Sequence, residues 1–498
     1  MEFTAADGCG YGTVRRVFGR ESPRIDQGAL CLGLLFALAC ASAPATQVEA
    51  PIAACPRATA LEPQQIAAEA SCLLQQYVRI DTVNPPGNEL AAAAFLRDVL
   101  ARDGIEARIL ESAKGRGNLL ARLPGTGAGR AMVLMHHMDV VPPSASEWSV
   151  PPFDGAVRDG FVWGRGSIDN KGGGVIELMT MLLAKRLATA LPRDLVLLAV
   201  ADEEAGGGFG ARHLTEHHKD LFGDVEFVLN EGGFIEQVAE GRLVYNVEVV
   251  QKAPLWLRVT ARGRSGHGST PPANTAAFAL VRALARLTAF QFPIAVRPEV
   301  QRLYAAKAPA MPEPQRTAYA DLRKALENPA FRDEFLKDPR DAALVRNTLA
   351  LTMLKGSDKE NVIPGEASAV LDLRLLPGQD ATTVIGELTR VMAEPGLEVT
   401  PLLSWRAHAS PDDTALFHAI VALANERGAP VVPSVTTGFT DCNAFRAQGI
   451  TCYGFLPIRF DPKDFERIHG ADERLSIERA AAAIVELHTL LQRLSSSQ

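Results

Sequence analysis

An α/β fold on a mainly parallel sheet, interrupted by a smaller α+β unit, is predicted by two observations. First, apolar runs of strand length, the wholly apolar Ala131–Met135, then Leu195–Val200 and Val225–Leu229, alternate with helical spacing over Val175–Leu187 and Ala211–His218. Continuous apolar strands separated by helices are the signature of a parallel sheet covered on both faces. Second, the pattern changes after about Lys252. Leu255–Ala261 alternates, Thr275–Leu287 is helical, and Leu349–Leu354, Ser368–Leu375, a helix over Ala381–Met392 and Leu397–Leu403 complete a β-α-β-β-α-β order. That order predicts a ferredoxin-like two-layer unit.

The remaining elements follow in order. Pro63–Tyr77 and Leu90–Leu100 carry helical apolar spacing, the Pro- and charge-rich stretch Val296–Val345 reads as a helical insertion, and Ser476–Leu494 is a terminal helix. Four basic residues (Arg15, Arg16, Arg20, Arg24) precede the apolar run Ala29–Cys40, which is too short to span a bilayer and is followed by Ala41-Ser42-Ala43. This predicts an export signal. Leu38-Ala39-Cys40 also resembles a lipoprotein cleavage site, so the expected location is periplasmic or extracellular, either free or lipid-anchored at Cys40. The expected organisation is a signal over 1–43, a linker over 44–60, a catalytic domain over 61–251 and 406–498, and an inserted domain over 252–405.

Of seven cysteines, Cys55, Cys72, Cys442 and Cys452 lie beyond that signal. In an oxidising compartment they can pair, with three possible connectivities. Cys55 with Cys72 is the expected pair, because it staples the new N-terminus to the first helix. The 498 residues carry 51 Lys+Arg against 58 Asp+Glu, a formal charge of −7. A chain that is 47% hydrophobic and 22% charged is an ordinary globular one, and its mild acidity argues against a nucleic-acid partner.

The chemistry sits at strand ends. The first apolar strand runs into His136-His137-Met138-Asp139, the second into Asp202-Glu203-Glu204 and the third into Asn230-Glu231-Gly232-Gly233. The Gly-rich segment Trp163-Gly164-Arg165-Gly166-Ser167-Ile168-Asp169-Asn170-Lys171-Gly172-Gly173 lies between the first two. Ligands bind at the carboxyl ends of strands in such sheets. Several acids converging there repel one another and lose solvation, so cations must stand among them; mixed imidazole and carboxylate donors suit zinc or a similar divalent ion. His137 and Asp139, two apart, share one side of an extended segment, so one can ligate while the other orients it. Glu203 and Glu204 point opposite ways if extended, so one can bind metal while the other acts as general base. A second ion needs a bridging ligand, for which Asp169 is the candidate, and such a pair performs amide hydrolysis.

With a late His469-Gly470, these motifs resemble the aminoacylase / carboxypeptidase S / acetylornithine deacetylase family of dinuclear zinc metallopeptidases, nearest to its carboxypeptidase S and secreted N-acyl-amino-acid hydrolase branch. The resemblance runs from about Ile66 to the terminal helix. It implies two Zn2+ held by His137, Asp169, Glu204, Glu231 and His469, with Asp169 bridging, Asp139 orienting His137, and Glu203 as general base. It further implies that the inserted domain is a lid and dimerisation domain, and that its His267 (in Arg264-Ser265-Gly266-His267-Gly268) polarises the scissile carbonyl across a homodimer interface. Asn361 and Arg374 match the groups that hold substrate, and an Arg fork suits a free carboxylate. The implied substrates are peptides with a free C-terminus or N-acyl amino acids.

Two other readings compete. Gly206-Gly207-Gly208-Phe209-Gly210-Ala211 satisfies a dinucleotide fingerprint between strand and helix, but Glu203 and Glu204 immediately before it repel a pyrophosphate. A non-catalytic binding protein on the same fold would lack a ligand or Glu203, and none is missing. His213, His217 and His218 read as solvated surface, and Asp441 either lines the site or caps a helix.

Overall fold

The computed structural model describes residues 55–460, 464 and 466–494; the export signal expected over 1–43, with Cys40, lies outside them. Helices α1 (Pro63–Val78) and α2 (Glu89–Ala101) come first. Pro63 opens α1, where its missing N–H costs no hydrogen bond, and Ile66, Leu73, Leu74 and Tyr77 form its buried face.

The chain then lays down β1 (Ala107–Ala113), β2 (Arg116–Leu123), β3 (Ala131–His137), helix α3 (Lys171–Arg186), β4 (Leu195–Val200), β5 (Val225–Asn230), β6 (Ile235–Ala239) and β7 (Arg242–Gln251). It leaves to build a second sheet from β8 (Ala253–Arg262), α4 (Ala276–Thr288), β9 (Thr348–Lys355), β10 (Glu366–Leu375), α5 (Ala381–Met392) and β11 (Leu397–Ser404). It returns with β12 (Val431–Thr436), β13 (Thr451–Gly454), β14 (Arg459–Phe460) and the closing helix α6 (Ile477–Leu494).

The first sheet has the order β1-β2-β4-β3-β5-β13-β7-β6-β14, with β12 against β7. Its centre, β4-β3-β5-β13, is parallel; β2 against β1 and β4, and β7 against β6 and β13, are antiparallel. The predicted parallel strands are thus the middle of a mixed sheet. β3 and β4 are buried at every residue, as two-sided coverage requires. In α3, every residue from Lys171 to Ala184 is buried, as expected of a helix packed on more than one side.

The second sheet, β9-β10-β8-β11, is antiparallel throughout. Leu255, Leu257, Val259, Leu371 and Leu373 from its inner face pack with Leu280 of α4 and Leu388 of α5. The β-α-β-β-α-β order is the one the periodicity predicts. Strand β9 lies at the edge and leaves Leu351, Met353 and Leu354 exposed, as α4 leaves Phe278 and Val281.

The 296–345 segment folds as five short α-helices and one 3-10 turn. Two of them, Pro329–Phe335 and Pro339–Val345, begin where Asn328 and Asp338 accept backbone N–H bonds ahead of a proline, so local capping places them. Disulfides join Cys55 to Cys72, the expected pair, and Cys442 to Cys452. No helix among the described residues is long and apolar enough to cross a membrane.

Candidate metal centre and active site

Three neighbouring parallel strands deliver the acidic residues to one place. β3 ends in His137, β4 leads through Asp202 into the Glu203–Ala205 turn, and β5 leads into Glu231. Strand alternation separates the two imidazoles. His137 faces the acids, whereas His136 turns into the core, with Nδ1 2.9 Å from Glu177 Oε2 and Nε2 3.2 Å from the Tyr77 hydroxyl.

Around His137, Nε2 lies 2.9 Å from Asp169 Oδ1 and 3.6 Å from Glu231 Oε1. His469 Nε2 lies 3.3 Å from Asp169 Oδ2 and 3.2 Å from Glu204 Oε2. Asp169 therefore stands between the two imidazoles, one carboxylate oxygen toward each. His137, Asp169 and Glu204 form one group of ligand atoms lying within 4.8 Å of one another, and His137, Glu203 and Glu231 form a second. The five expected ligands and Glu203 converge.

Asp139 holds the arrangement from behind. Its buried carboxylate accepts from Asn84 Nδ2 at 2.8 Å and from the Glu203 and Glu204 N–H groups at 3.0 and 3.1 Å, and lies 3.5 Å from His137 Nδ1. His137 Nδ1 is closer to the Asp139 carbonyl oxygen, at 2.9 Å. Asp139 thus orients the Glu203–Glu204 turn at least as much as the imidazole. Asp202, with φ of +70°, is in the left-handed region that non-glycine residues avoid. Its carboxylate is fixed by Arg116 Nη2 at 2.8 Å and Asn84 Nδ2 at 3.0 Å.

The electrostatics call for cations. Burial, together with Glu231 and Glu204 nearby, pushes the Glu203 carboxyl well above the usual range. Burial and Asp169 push Glu204 up to about 7, and burial raises Glu231. Asp169 is also buried, but His137 and His469 outweigh that and hold it low. Hydrogen bonding to Asp169 and Glu204 raises His469 to about 10. Burial opposes the charged His137 imidazole, yet Glu231, Asp139 and Asp169 raise its pKa well above the usual value. Glu204 Oε1 is buried without a hydrogen-bond partner. Two imidazoles and four carboxylates with an orphaned oxygen fit a divalent-cation centre.

A cavity of about 600 Å³ opens over these residues. Asp169, Glu203, Glu204, Glu231 and His469 line one side; Phe234, Trp256, Phe439, Leu456, Ile458 and Phe460 line much of the rest. Arg374 also lines it, lying over the Phe439 ring at 4.8 Å and paired with Asp372 through Nε at 2.8 Å and Nη2 at 3.1 Å. His267 and Asn361 lie elsewhere in the single chain. They meet on a two-stranded ribbon where Gly268 N donates to Asn361 O, and both are exposed.

Asp441 precedes helix Cys442–Ala447 without capping it through its side chain, and its buried Oδ2 has no partner. The Gly206–Ala211 loop wraps Asp202, which takes the Gly207 N–H on its carbonyl and the Phe209 N–H on its carboxylate, the amides a phosphate would need. Sequence reading missed Arg165, Glu473, Asn84 and Arg116. Of these, Arg165 stands inside the Gly-rich segment and Glu473 is an acid four residues after His469, whereas Asn84 and Arg116 carry no such local signal.

Residues 133–493 match the model of peptidase family M20/M25/M40. The chain belongs to that family. It is accordingly a hydrolase, with a donor set suited to metal. It is 29% identical over 385 residues to human N-fatty-acyl-amino acid synthase/hydrolase PM20D1, covering 74% of each chain. It is 27% identical to Sus scrofa aminoacylase-1 over 85% of this chain and 95% of the relative. In fold it is similar to an M20 family metallo-carboxypeptidase from Sulfolobus solfataricus (TM-score 0.68, 19% identity, 86% of this chain and 99% of the other).

Proposed function

We propose that this chain hydrolyses the amide bond of substrates carrying a free carboxylate, N-acyl amino acids first among them, at a centre of two zinc ions. The observation that carries this reading is the convergence of His137, Asp169, Glu204, Glu231 and His469 at the base of a cavity with an apolar wall. When bound, the ions supply Lewis acidity that polarises the carbonyl and makes a water acidic. Asp169, with one carboxylate oxygen toward each imidazole, would be shared between the two ions. Glu203 takes a proton from the attacking water and returns it to the leaving amine nitrogen. Asp139 keeps Glu203 and Glu204 in place through their N–H groups. Arg374, preset by Asp372 and the Phe439 ring, anchors the substrate carboxylate, while Phe234, Leu456, Ile458 and Phe460 suit an apolar acyl group. A peptide with a free C-terminus meets the same geometry.

The inserted domain (252–405), between the two halves of the catalytic domain (61–251 and 406–498), completes the site from a second copy. Exposed apolar residues on β9 and α4 support a homodimer through that domain, in which His267 and Asn361 reach the partner's cavity. Two disulfides support export to an oxidising compartment, consistent with the leader expected over 1–43. The test is a screen of purified protein against N-acyl amino acids, their carboxamide analogues and dipeptides, with zinc content measured. Turnover that needs zinc and the free carboxylate supports the reading; zinc-free turnover, or none on any carboxylate substrate, refutes it.

A further inference from the structure

The ligands Asp169 and His469 are 300 residues apart in sequence, and one buried carboxylate ties their segments together. Glu473 is fully buried. Its Oε2 accepts from Arg165 Nη1 at 2.7 Å and Gly166 N at 3.0 Å; its Oε1 accepts from Ile168 N at 2.7 Å and Asp169 N at 3.0 Å. Arg165, also buried, donates through Nη2 to the carbonyl oxygens of His469 at 3.2 Å and Gly470 at 2.9 Å. The segment so gripped is strained: His469 and Asp472 have φ of +60° and +56°. Such backbone persists only where its surroundings over-determine it.

Burying an Arg–Glu pair is a poor device for stability alone, since its desolvation offsets most of the attraction. Here every remaining bond of the pair ends on the backbone of a ligand-bearing segment. We propose that Glu473 is a positioning residue, acting with Arg165 as a clasp that sets Asp169 and His469 against each other. The clasp thereby controls occupancy of the cation subsite formed by His469, Asp169 and Glu204. His137 and Glu231 stand at strand ends that the clasp does not touch, so the other subsite shares only Asp169 with it and keeps its remaining ligands when the clasp is weakened. This inference rests on the dinuclear reading above.

Glu473→Gln places an amide N–H₂ against N–H donors with little change in shape, and Arg165→Lys keeps the charge but replaces the fork, whose Nη1 holds Glu473 and whose Nη2 holds both carbonyls, with a single nitrogen. Wild type and both variants are dialysed against limiting zinc, and bound zinc, kcat, KM and Tm are measured. Wild type is expected to hold two zinc ions per chain and each variant one, with kcat lowered roughly 10- to 100-fold, KM little changed, and kcat recovered in excess zinc. Two ions per chain and unaltered kcat in the variants overturn the clasp, whatever happens to Tm. If Glu473→Gln does not fold, the zinc count of Arg165→Lys decides. A wild-type chain holding fewer than two ions fails the dinuclear reading itself.

Discussion

Glu204→Gln separates the cost of holding an acid in this site from its use as a ligand. The folded chain raises Glu204 from 4.5 to about 7, through burial first and Asp169 second. A carboxyl raised in the folded state contributes no penalty below its unfolded pKa and destabilises as pH rises through the folded value. At 1.36 kcal/mol per pH unit, ionised Glu204 costs the zinc-free fold about 3 kcal/mol above pH 7. Glutamine keeps the shape and never ionises. In chelator, wild type and variant should therefore match near pH 4.5, and the variant should be the more stable by about 3 kcal/mol at pH 8. Spread over the unfolding entropy of a chain this long, that is a Tm difference of about 3 °C. Excess zinc should reverse the order, because the variant has lost a ligand. Comparing the two proteins cancels the opposing titrations of His136 and Lys171, whose pKa values burial lowers to about 3 and about 7. Thermal scans from pH 4.5 to 8 make the measurement. A zinc-free variant no more stable than wild type at pH 8 would refute the reasoning.

Other outcomes follow from the same geometry. Glu203→Gln should keep its zinc while kcat falls about 10²–10⁴-fold; loss of zinc with retained turnover would remove Glu203 as the base. Arg374→Ala should raise KM for carboxylate substrates by roughly tenfold or more and leave their carboxamide analogues unaffected, read from paired kinetics. Asp139→Ala leaves one of the two Asn84 amide N–H bonds and two backbone donors without an acceptor, so denaturant unfolding should show a loss of roughly 3 kcal/mol. Removing the Cys55–Cys72 bridge, which closes 17 residues, should cost about 3 kcal/mol, measured the same way.

Much of this was legible in the sequence because strand ends carry their own label. The largely apolar strands β3, β4 and β5 leading into His137, Glu203 and Glu231 announce both sheet and site. What stayed hidden depends on partners far along the chain. Strand β7 carries Asn246, Glu248 and Gln251, which reads as anything but a buried strand. Glu248 is tolerated because Arg446, 198 residues later, meets it at 2.7 Å with both side chains fully buried. Arg116, paired with Glu89 and Asp202, hides β2 in the same way. His267 and Asn361 were legible as motifs but not as places, since no local pattern puts them on an exposed ribbon away from the cavity of their own chain.

The opposite facings of His136 and His137 bear on how this protein can change in length. One step along β3 converts a neutral, core-facing imidazole into one surrounded by acids. A single-residue insertion or deletion inside Ala131–His137 would exchange the two and leave Tyr77 and Glu177 facing the wrong ring. Length variation among related chains is therefore expected to collect in the stretch over 124–130, where a shift is absorbed before the first fixed side chain.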